Sequence, residues 1–222
     1  MNKHLQRDLD RLERGMLEIG ALVEQSIQKA IAALSARRPE LGREVINSDK
    51  EIDRREVELE DDCHKVLALH QPVAADLRFI VTVIKVNSAL ERMGDLACNI
   101  ARAAINLPSR TQYEDHIDLL KLADLVRDMV RRSLNSLVKL DVELASDVLA
   151  SDDEVDAETQ LVFNKVIEMI SEGESDPAHV VRILLVSRHL ERIADHTTNI
   201  AEDVIFLVEG EIVRHLSPGE MI

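Results

Sequence analysis

The chain has 222 residues, of which 31% are charged and only 2% are aromatic, and it contains no tryptophan. Its core must therefore consist of Leu, Ile, Val, Ala and Met side chains, a composition typical of long packed helices. The 42 acidic and 27 basic side chains give a formal net charge of −15, which argues against binding a nucleic-acid backbone and is compatible with binding cations or basic protein surfaces.

Three helices are predicted in the first half of the chain. Apolar residues spaced by four and three predict a first helix over about residues 3–35. Pro39 suits the first position of a second helix, in which apolar residues recur at every seventh position until Pro72 interrupts it. A third helix with an alternating 3,4 stripe of apolar residues follows and ends near Pro108.

The second half repeats this plan. A fourth helix is predicted over about residues 115–140, and Asp141 can cap a fifth helix that reaches about Ser171. Pro177 suits the first position of a sixth helix with the same 3,4 stripe, and Gly210 ends it. No strand-type alternation of any length is present.

Two segments of the first half recur in the second half. Residues 91–101 match residues 191–201 at an offset of 100, and residues 45–53 match residues 148–156 at an offset of 103. Tandem copies of a three-helix unit explain both offsets. The predicted fold is all-α, with two tandem three-helix bundles related by an internal pseudo-twofold axis.

The predicted domain limits follow from the repeat. The first bundle takes residues 1–108 and the second takes residues 109–210, with the boundary in the proline-containing segment after the third helix. Residues 211–222 form a C-terminal tail.

Acidic residues spaced i, i+4 occur on the second and third helices of each unit. This spacing places both carboxylates of a pair on one helix face. In each unit the two pairs are equidistant from the turn that joins their helices, so the pairs lie at the same height of an antiparallel hairpin. The eight candidate metal ligands are Asp49, Asp53, Glu91 and Asp95 in the first unit and Asp152, Asp156, Glu191 and Asp195 in the second.

Four carboxylates at one level repel each other unless a cation neutralises them. Their oxygens suit hard cations such as Mg²⁺, Ca²⁺, Mn²⁺ or ferric iron. The acids flank the apolar stripe, so we expect an open site at the bundle surface, with Asn99 and Asn199 as supporting or weak ligands. A solvated acidic face without metal is the alternative.

Other sequence features narrow the class of protein. Cys63 and Cys98 form no CxxC motif, which favours a reducing cytoplasm. The chain is charged from Lys3 onward, so no signal peptide is expected, and no apolar run approaches the ~18 residues of a membrane span. The Glu-x-x-His pattern of di-iron bundles and a glycine-rich phosphate loop are missing. We therefore expect a metal-carrying adaptor that is not an enzyme. A metal-dependent phosphohydrolase, a di-iron oxidoreductase and a metal-free scaffold remain alternatives.

Taken together, these motifs resemble the PhoU family of regulators associated with bacterial phosphate-specific transport, over about residues 3–215. The segment Gln71-Pro72-Val73-Ala74-Ala75-Asp76-Leu77-Arg78 is similar to the family's QPxAxDLR sequence, and the acidic pairs are similar to its ExxxD and DxxxD motifs. The second unit lacks the Asp-Leu-Arg triplet, so whatever the triplet does is expected of the first unit alone.

The resemblance implies more than the residues show. It implies multinuclear iron or zinc clusters on the carboxylates and a negative regulator of the phosphate-starvation response. The implied partners are a membrane phosphate-sensing histidine kinase and the ATPase subunit of the phosphate importer. A cytoplasmic homodimer recruited peripherally to membrane complexes, without insertion into the bilayer, completes the expectation.

Overall fold

The computed structural model describes residues 3–106, 119–172 and 177–213. All regular secondary structure in these ranges is α-helical, which confirms the predicted all-α class. The helices are α1 (Lys3–Ser35), α2 (Pro39–His70), α3 (Ala74–Ile105), α4 (Leu119–Lys139), α5 (Val142–Ala150), α6 (Asp152–Glu172) and α7 (Pro177–Glu209). The predicted boundary after Pro108 lies outside the described residues, so the domain limits stay a prediction.

Local sequence signals set the helix ends. Pro39 is the first residue of α2, where its missing N–H costs no helical hydrogen bond. The Asp141 carboxylate accepts a hydrogen bond from the Leu144 N–H at 3.0 Å and so caps α5. After α7, Gly210 adopts a left-handed φ of 80°, a conformation that glycine reaches without steric cost. The predicted cap at Asp141 and stop at Gly210 are confirmed.

The prediction of one continuous fifth helix from Asp141 to Ser171 is wrong, because α5 and α6 are separated at Ser151. The Ser151 hydroxyl donates to the Asp147 carbonyl at 2.8 Å, and Arg132 of α4 donates to the same hydroxyl at 2.8 Å. Side-chain bonds of this kind compete with the helical ladder. At the matching position of the first unit, Ser48 bonds the Val45 carbonyl and α2 continues unbroken.

Helices α3 and α7 lie at the centre of the molecule and pack against each other. Their inward stripes are fully buried, as at Leu90 and Met93 of α3 and at Leu190 and Ile193 of α7. These side chains belong to one hydrophobic core that joins both units. A second, smaller cluster lies between α6 and the start of α7, with Val162, Val166, Met169, Val180 and Ile183 as its buried members.

A salt bridge also joins α3 to α7. The Lys85 ammonium lies 2.7 Å from Asp203 Oδ1 and 5.2 Å from the centre of the Phe206 ring. Asp203 is buried, and the Lys85 ammonium helps to compensate its charge. The positions that match Lys85 and Asp203 under the repeat are Leu185 and Ala103, so the internal symmetry does not extend to this contact.

Candidate metal centre

The eight predicted ligands occupy equivalent helix positions in the two units. Asp49 and Asp53 lie on α2 opposite the Glu91 and Asp95 pair of α3. The second unit uses the start of α6 and the middle of α7 in the same way. In each pair the first carboxylate residue is partly buried and the second is exposed. Both clusters are therefore open to solvent, as the position of the acids beside the apolar stripe predicts.

Electrostatic coupling in the first cluster places the two pairs against each other. Burial raises the pKa of Asp53, and the nearby charges of Asp49 and Asp95 raise it further. The pKa of Glu91 is also raised, first by burial and then by Asp95, Glu56 and Asp53. Because a charge on one helix raises the pKa of a group on the other in both cases, α2 and α3 bring the predicted carboxylates together.

The second cluster shows the same kind of coupling. Burial, followed by the charges of Asp156 and Asp195, raises the pKa of Asp152 from 3.8 to about 6. Burial and Asp156 likewise raise the pKa of Asp195. For Glu191, burial raises the pKa, Arg188 lowers it, and Asp195 and Asp156 raise it again. Groups on α6 and α7 therefore face each other here too.

Two groups that the sequence pattern did not single out adjoin these clusters. Glu56 follows Asp53 by three residues on α2, and its own pKa is raised by burial, Glu60 and Asp53. Arg188 lies 2.8 Å from Glu191 Oε1 and 2.5 Å from its Oε2. Helical spacing is the signal that finds both groups, because residues three apart share a helix face.

Cysteine, asparagine and histidine side chains also lie near the carboxylate clusters. Cys98 is fully buried, and burial with contact to Asp49 raises the pKa of its thiol to about 12, so the thiol stays protonated. Asn99 accepts a hydrogen bond from Arg102 at 2.8 Å, and Asn199 donates one to the Asp195 carbonyl at 2.8 Å. Burial, Arg92 and Arg192 lower the pKa of His196, which favours its neutral form.

The donor set fits a hard cation in chemistry and accessibility. As the side chains stand, no group of three or more His, Cys, Asp or Glu residues within 3–106, 119–172 and 177–213 could hold a metal ion. All eight candidates nevertheless offer carboxylate oxygens on facing helices. Burial, and then repulsion by neighbouring carboxylates, raises the pKa of Glu91 and Asp152, and a bound cation would relieve that repulsion.

The QPxAxDLR-like segment lies at the junction of the two units. A Cβ atom added to Gly210 would lie 2.9 Å from Nη1 of Arg78, so the guanidinium sits directly against the end of α7. Carbonyl groups at the C-terminal end of a helix carry partial negative charge and favour a cation there. Arg78 therefore stabilises the end of α7 from the first unit, a contact that needs only one copy of the triplet.

The chain is thus an all-helical protein of two repeated units, and each unit carries one cluster of facing carboxylates. The family model described as "PhoU domain" matches residues 16–104 and again residues 119–204. The chain therefore belongs to the PhoU family. The double match confirms the two repeated helical units that the sequence offsets predict.

Curated relatives are similar to the chain over nearly its whole length. A "Phosphate-specific transport system accessory protein PhoU homolog" of Pseudomonas putida is 33% identical over 222 residues, which cover 100% of this chain and 87% of that protein. A homolog of the same name from Aquifex aeolicus is 37% identical over 209 residues, covering 94% of this chain and 95% of the relative.

Two solved structures are also similar to the chain over nearly its whole length. The crystal structure of PhoU from Pseudomonas aeruginosa has a TM-score of 0.86 at 32% identity and covers 93% of this chain and 99% of that one. The PhoU regulatory protein from Streptococcus pneumoniae also has a TM-score of 0.86, at 28% identity, and covers 94% of this chain and 99% of its own. Among the helices described here, none is both long and apolar enough to cross a membrane.

Proposed function

We propose that this protein is a cytoplasmic, metal-carrying negative regulator of phosphate uptake and of the phosphate-starvation response. The family membership supports a role beside the phosphate-specific transport system, because curated relatives that align along their length carry that description. The observation that carries the metal part is the carboxylate cluster that occurs once in each unit, where burial and then neighbouring carboxylates raise the pKa of Glu91 and Asp152.

In this proposal Asp49, Asp53, Glu91 and Asp95 hold one metal site, and the matching residues of α6 and α7 hold the other. The resemblance to the PhoU family implies that the bound metal is iron or zinc, while carboxylate oxygens alone also suit Mg²⁺, Mn²⁺ or Ca²⁺. A bound cation would neutralise the carboxylates and fix the α2–α3 and α6–α7 pairs. The residues themselves position oxygen atoms on an exposed surface, where a partner can sense whether the cluster is filled.

Elemental analysis of the purified chain tests the metal assignment. Replacing Glu91 by Gln and Asp95 by Asn should halve the bound metal, because only the first cluster loses its charge. The helical far-UV spectrum should not change, since neither side chain belongs to the hydrophobic core. The control Glu58→Gln removes a charge on the outer face of α2, next to Arg54. Unchanged metal content in the double variant would refute the assignment for the first unit.

The proposed partners are the membrane phosphate-sensing histidine kinase and the ATPase of the phosphate ABC importer. An acidic bundle can contact basic faces of such proteins without entering the bilayer, and exposed charge pairs weaken with salt. Regulation then requires only that the protein bind one state of its partner better than another. We also propose a homodimer, for which light scattering should give about twice the 25.0 kDa chain mass.

Deletion of the gene in its own organism tests the regulatory role. Phosphate-starvation genes should become active in phosphate-rich medium, and the wild-type gene should restore repression. If a deletion strain with no second copy of the gene still repressed the phosphate-starvation genes normally, the regulatory hypothesis would be refuted. It would favour the alternative of a metal-dependent enzyme on the same bundle.

A further inference from the structure

An apolar stripe extends the second carboxylate cluster along α6. Phe163, Ile167 and Ile170 follow Asp156 at intervals of seven, four and three residues, so they share its helix face. Their side chains remain 46%, 49% and 57% exposed. They lie beside the small buried cluster of α6 and α7 and do not belong to it. Large apolar side chains grouped on an exposed face mark an interaction surface.

The first unit carries only one apolar residue at the matching positions. At the offset of 103 residues, Phe163 corresponds to Glu60 and Ile167 to His64, whereas Ile170 corresponds to Leu67, which is partly buried against the core. The face that continues as acidic and polar side chains on α2 therefore continues as an apolar surface on α6. The difference is specific to one copy of the repeat, so packing within the repeated unit does not require it.

Charge decides which occupant suits this surface. On α6 the only basic residue is Lys165, which lies 2.6 Å from Glu168. The exposed acidic residues of the same helix that are not predicted metal ligands are Asp153, Glu154, Glu168 and Glu172, whereas Glu158 is buried and paired with Lys121. A second copy docking through the same face would place acidic α6 against acidic α6, and an anionic lipid surface would also be repelled. A basic partner gains both apolar contact and charge complementarity.

We propose that the stripe of Phe163, Ile167 and Ile170 docks a basic amphipathic helix of a protein partner. Apolar side chains of that helix, spaced i, i+3 or i+4, and i+7, cover the three residues, as in other helix-in-groove contacts. Its Lys and Arg side chains flank that contact, where they approach the exposed acids Asp153, Glu168 and Glu172 of α6. This deepens the proposed function, on which it rests, by giving the chemistry and the location of one partner contact.

Fluorescence anisotropy with a labelled synthetic helix tests the docking site. The probe has about 14 residues, with Leu at i, i+3, i+4 and i+7 and Lys elsewhere. A second probe carries Glu in place of every Lys. The full-length wild-type chain should bind the Lys probe, and the triple variant Phe163→Ser, Ile167→Ser, Ile170→Ser should bind it about tenfold or more weakly, a change equivalent to about 1.4 kcal/mol.

The double variant Val57→Ser, Leu69→Ser is the matched control, because these residues are exposed apolar side chains of α2 at 61% and 76%. It should bind the Lys probe within about twofold of wild type, and the Glu probe should bind wild type about tenfold more weakly than the Lys probe. Circular dichroism and thermal unfolding verify that each variant is folded.

Equal binding of the Lys probe to the triple variant and wild type would overturn the proposal, as would equal binding of the two probes to wild type. Conversion of a wild-type dimer to a monomer by the triple variant would also overturn it, because a second copy would then be the occupant.

Complementation separates this proposal from the regulatory role. If deletion activates phosphate-starvation genes, the triple variant should restore repression less well than the Val57→Ser, Leu69→Ser control. Full repression by the triple variant would overturn the docking site and leave the regulatory role intact. If deletion activates nothing, the regulatory role fails, and the anisotropy result alone decides the docking site.

Discussion

Replacement of Asp152 by Asn should stabilise the metal-free protein at neutral pH. The pKa of Asp152 rises from 3.8 to about 6 because the carboxyl group is buried beside Asp156 and Asp195. One pH unit of pKa corresponds to about 1.4 kcal/mol, so the ionised group costs about 3 kcal/mol before screening. Water still reaches this partly buried side chain, and screening reduces the expected gain to about 1–2 kcal/mol.

The gain should depend on pH with a defined sign. The folded protein holds this proton to higher pH than the unfolded chain does, so the free energy of unfolding falls as pH rises from about 4 to about 6. Asp152→Asn removes that fall. Its advantage over wild type should therefore be present at about pH 7.5 and nearly absent at about pH 3, below the pKa of both states.

Urea unfolding in the presence of a chelator, followed by far-UV circular dichroism, measures both free energies. Glu154→Gln is the matched control, because Glu154 is exposed and also lies in the first turn of α6, where a negative charge favours the helix. An equal effect of Asp152→Asn at both pH values would refute the electrostatic explanation. So would a loss of stability at about pH 7.5.

Two further substitutions test the contacts between the units. Lys85→Ala removes the cation that lies 2.7 Å from the buried Asp203 and should lower the free energy of unfolding by about 2–3 kcal/mol in the same urea assay. The control Lys29→Ala removes an exposed ion pair with Glu44 and should lower it by less than about 1 kcal/mol. Gly210→Ala forces a left-handed φ on alanine and directs a Cβ atom against Arg78, so it should cost about 1–2 kcal/mol and lower the thermal midpoint. An equal loss of unfolding free energy in the two lysine variants, or an unchanged thermal unfolding midpoint for Gly210→Ala, would contradict these predictions.

Much of the helical architecture follows from local sequence signals. Proline at the start of α2, the Asp141 carboxylate and the left-handed Gly210 each act through the backbone within a few residues, so the pattern identifies them correctly. The register of the acidic pairs is also predictable, because an antiparallel hairpin relates residues that are equidistant from its turn. Asp95 is among the charges that raise the pKa of Asp53, after burial and Asp49, so the two pairs lie near each other.

Features that depend on distant residues were not predictable from the local pattern. The break at Ser151 involves Arg132 of another helix, and a serine at the matching position of α2 leaves its helix intact. The contact of Lys85 with Asp203 joins residues 118 positions apart. Both contacts depend on how helices of the bundle meet, which the spacing along one helix does not determine.

The two carboxylate clusters have diverged in their surroundings while keeping their own residues. Beside the first, Glu56 adds negative charge and raises the pKa of Glu91. Beside the second, Arg188 pairs with Glu191, and a serine stands at the matching position of the first unit. A cation that approaches Glu191 competes with this guanidinium, whereas Glu91 has no arginine three residues before it.

The apolar stripe of α6 also borders the second cluster alone. The two units therefore keep the same candidate ligands but surround them with different side chains. The first cluster is the more strongly negative, and the second adjoins the surface suited to a partner.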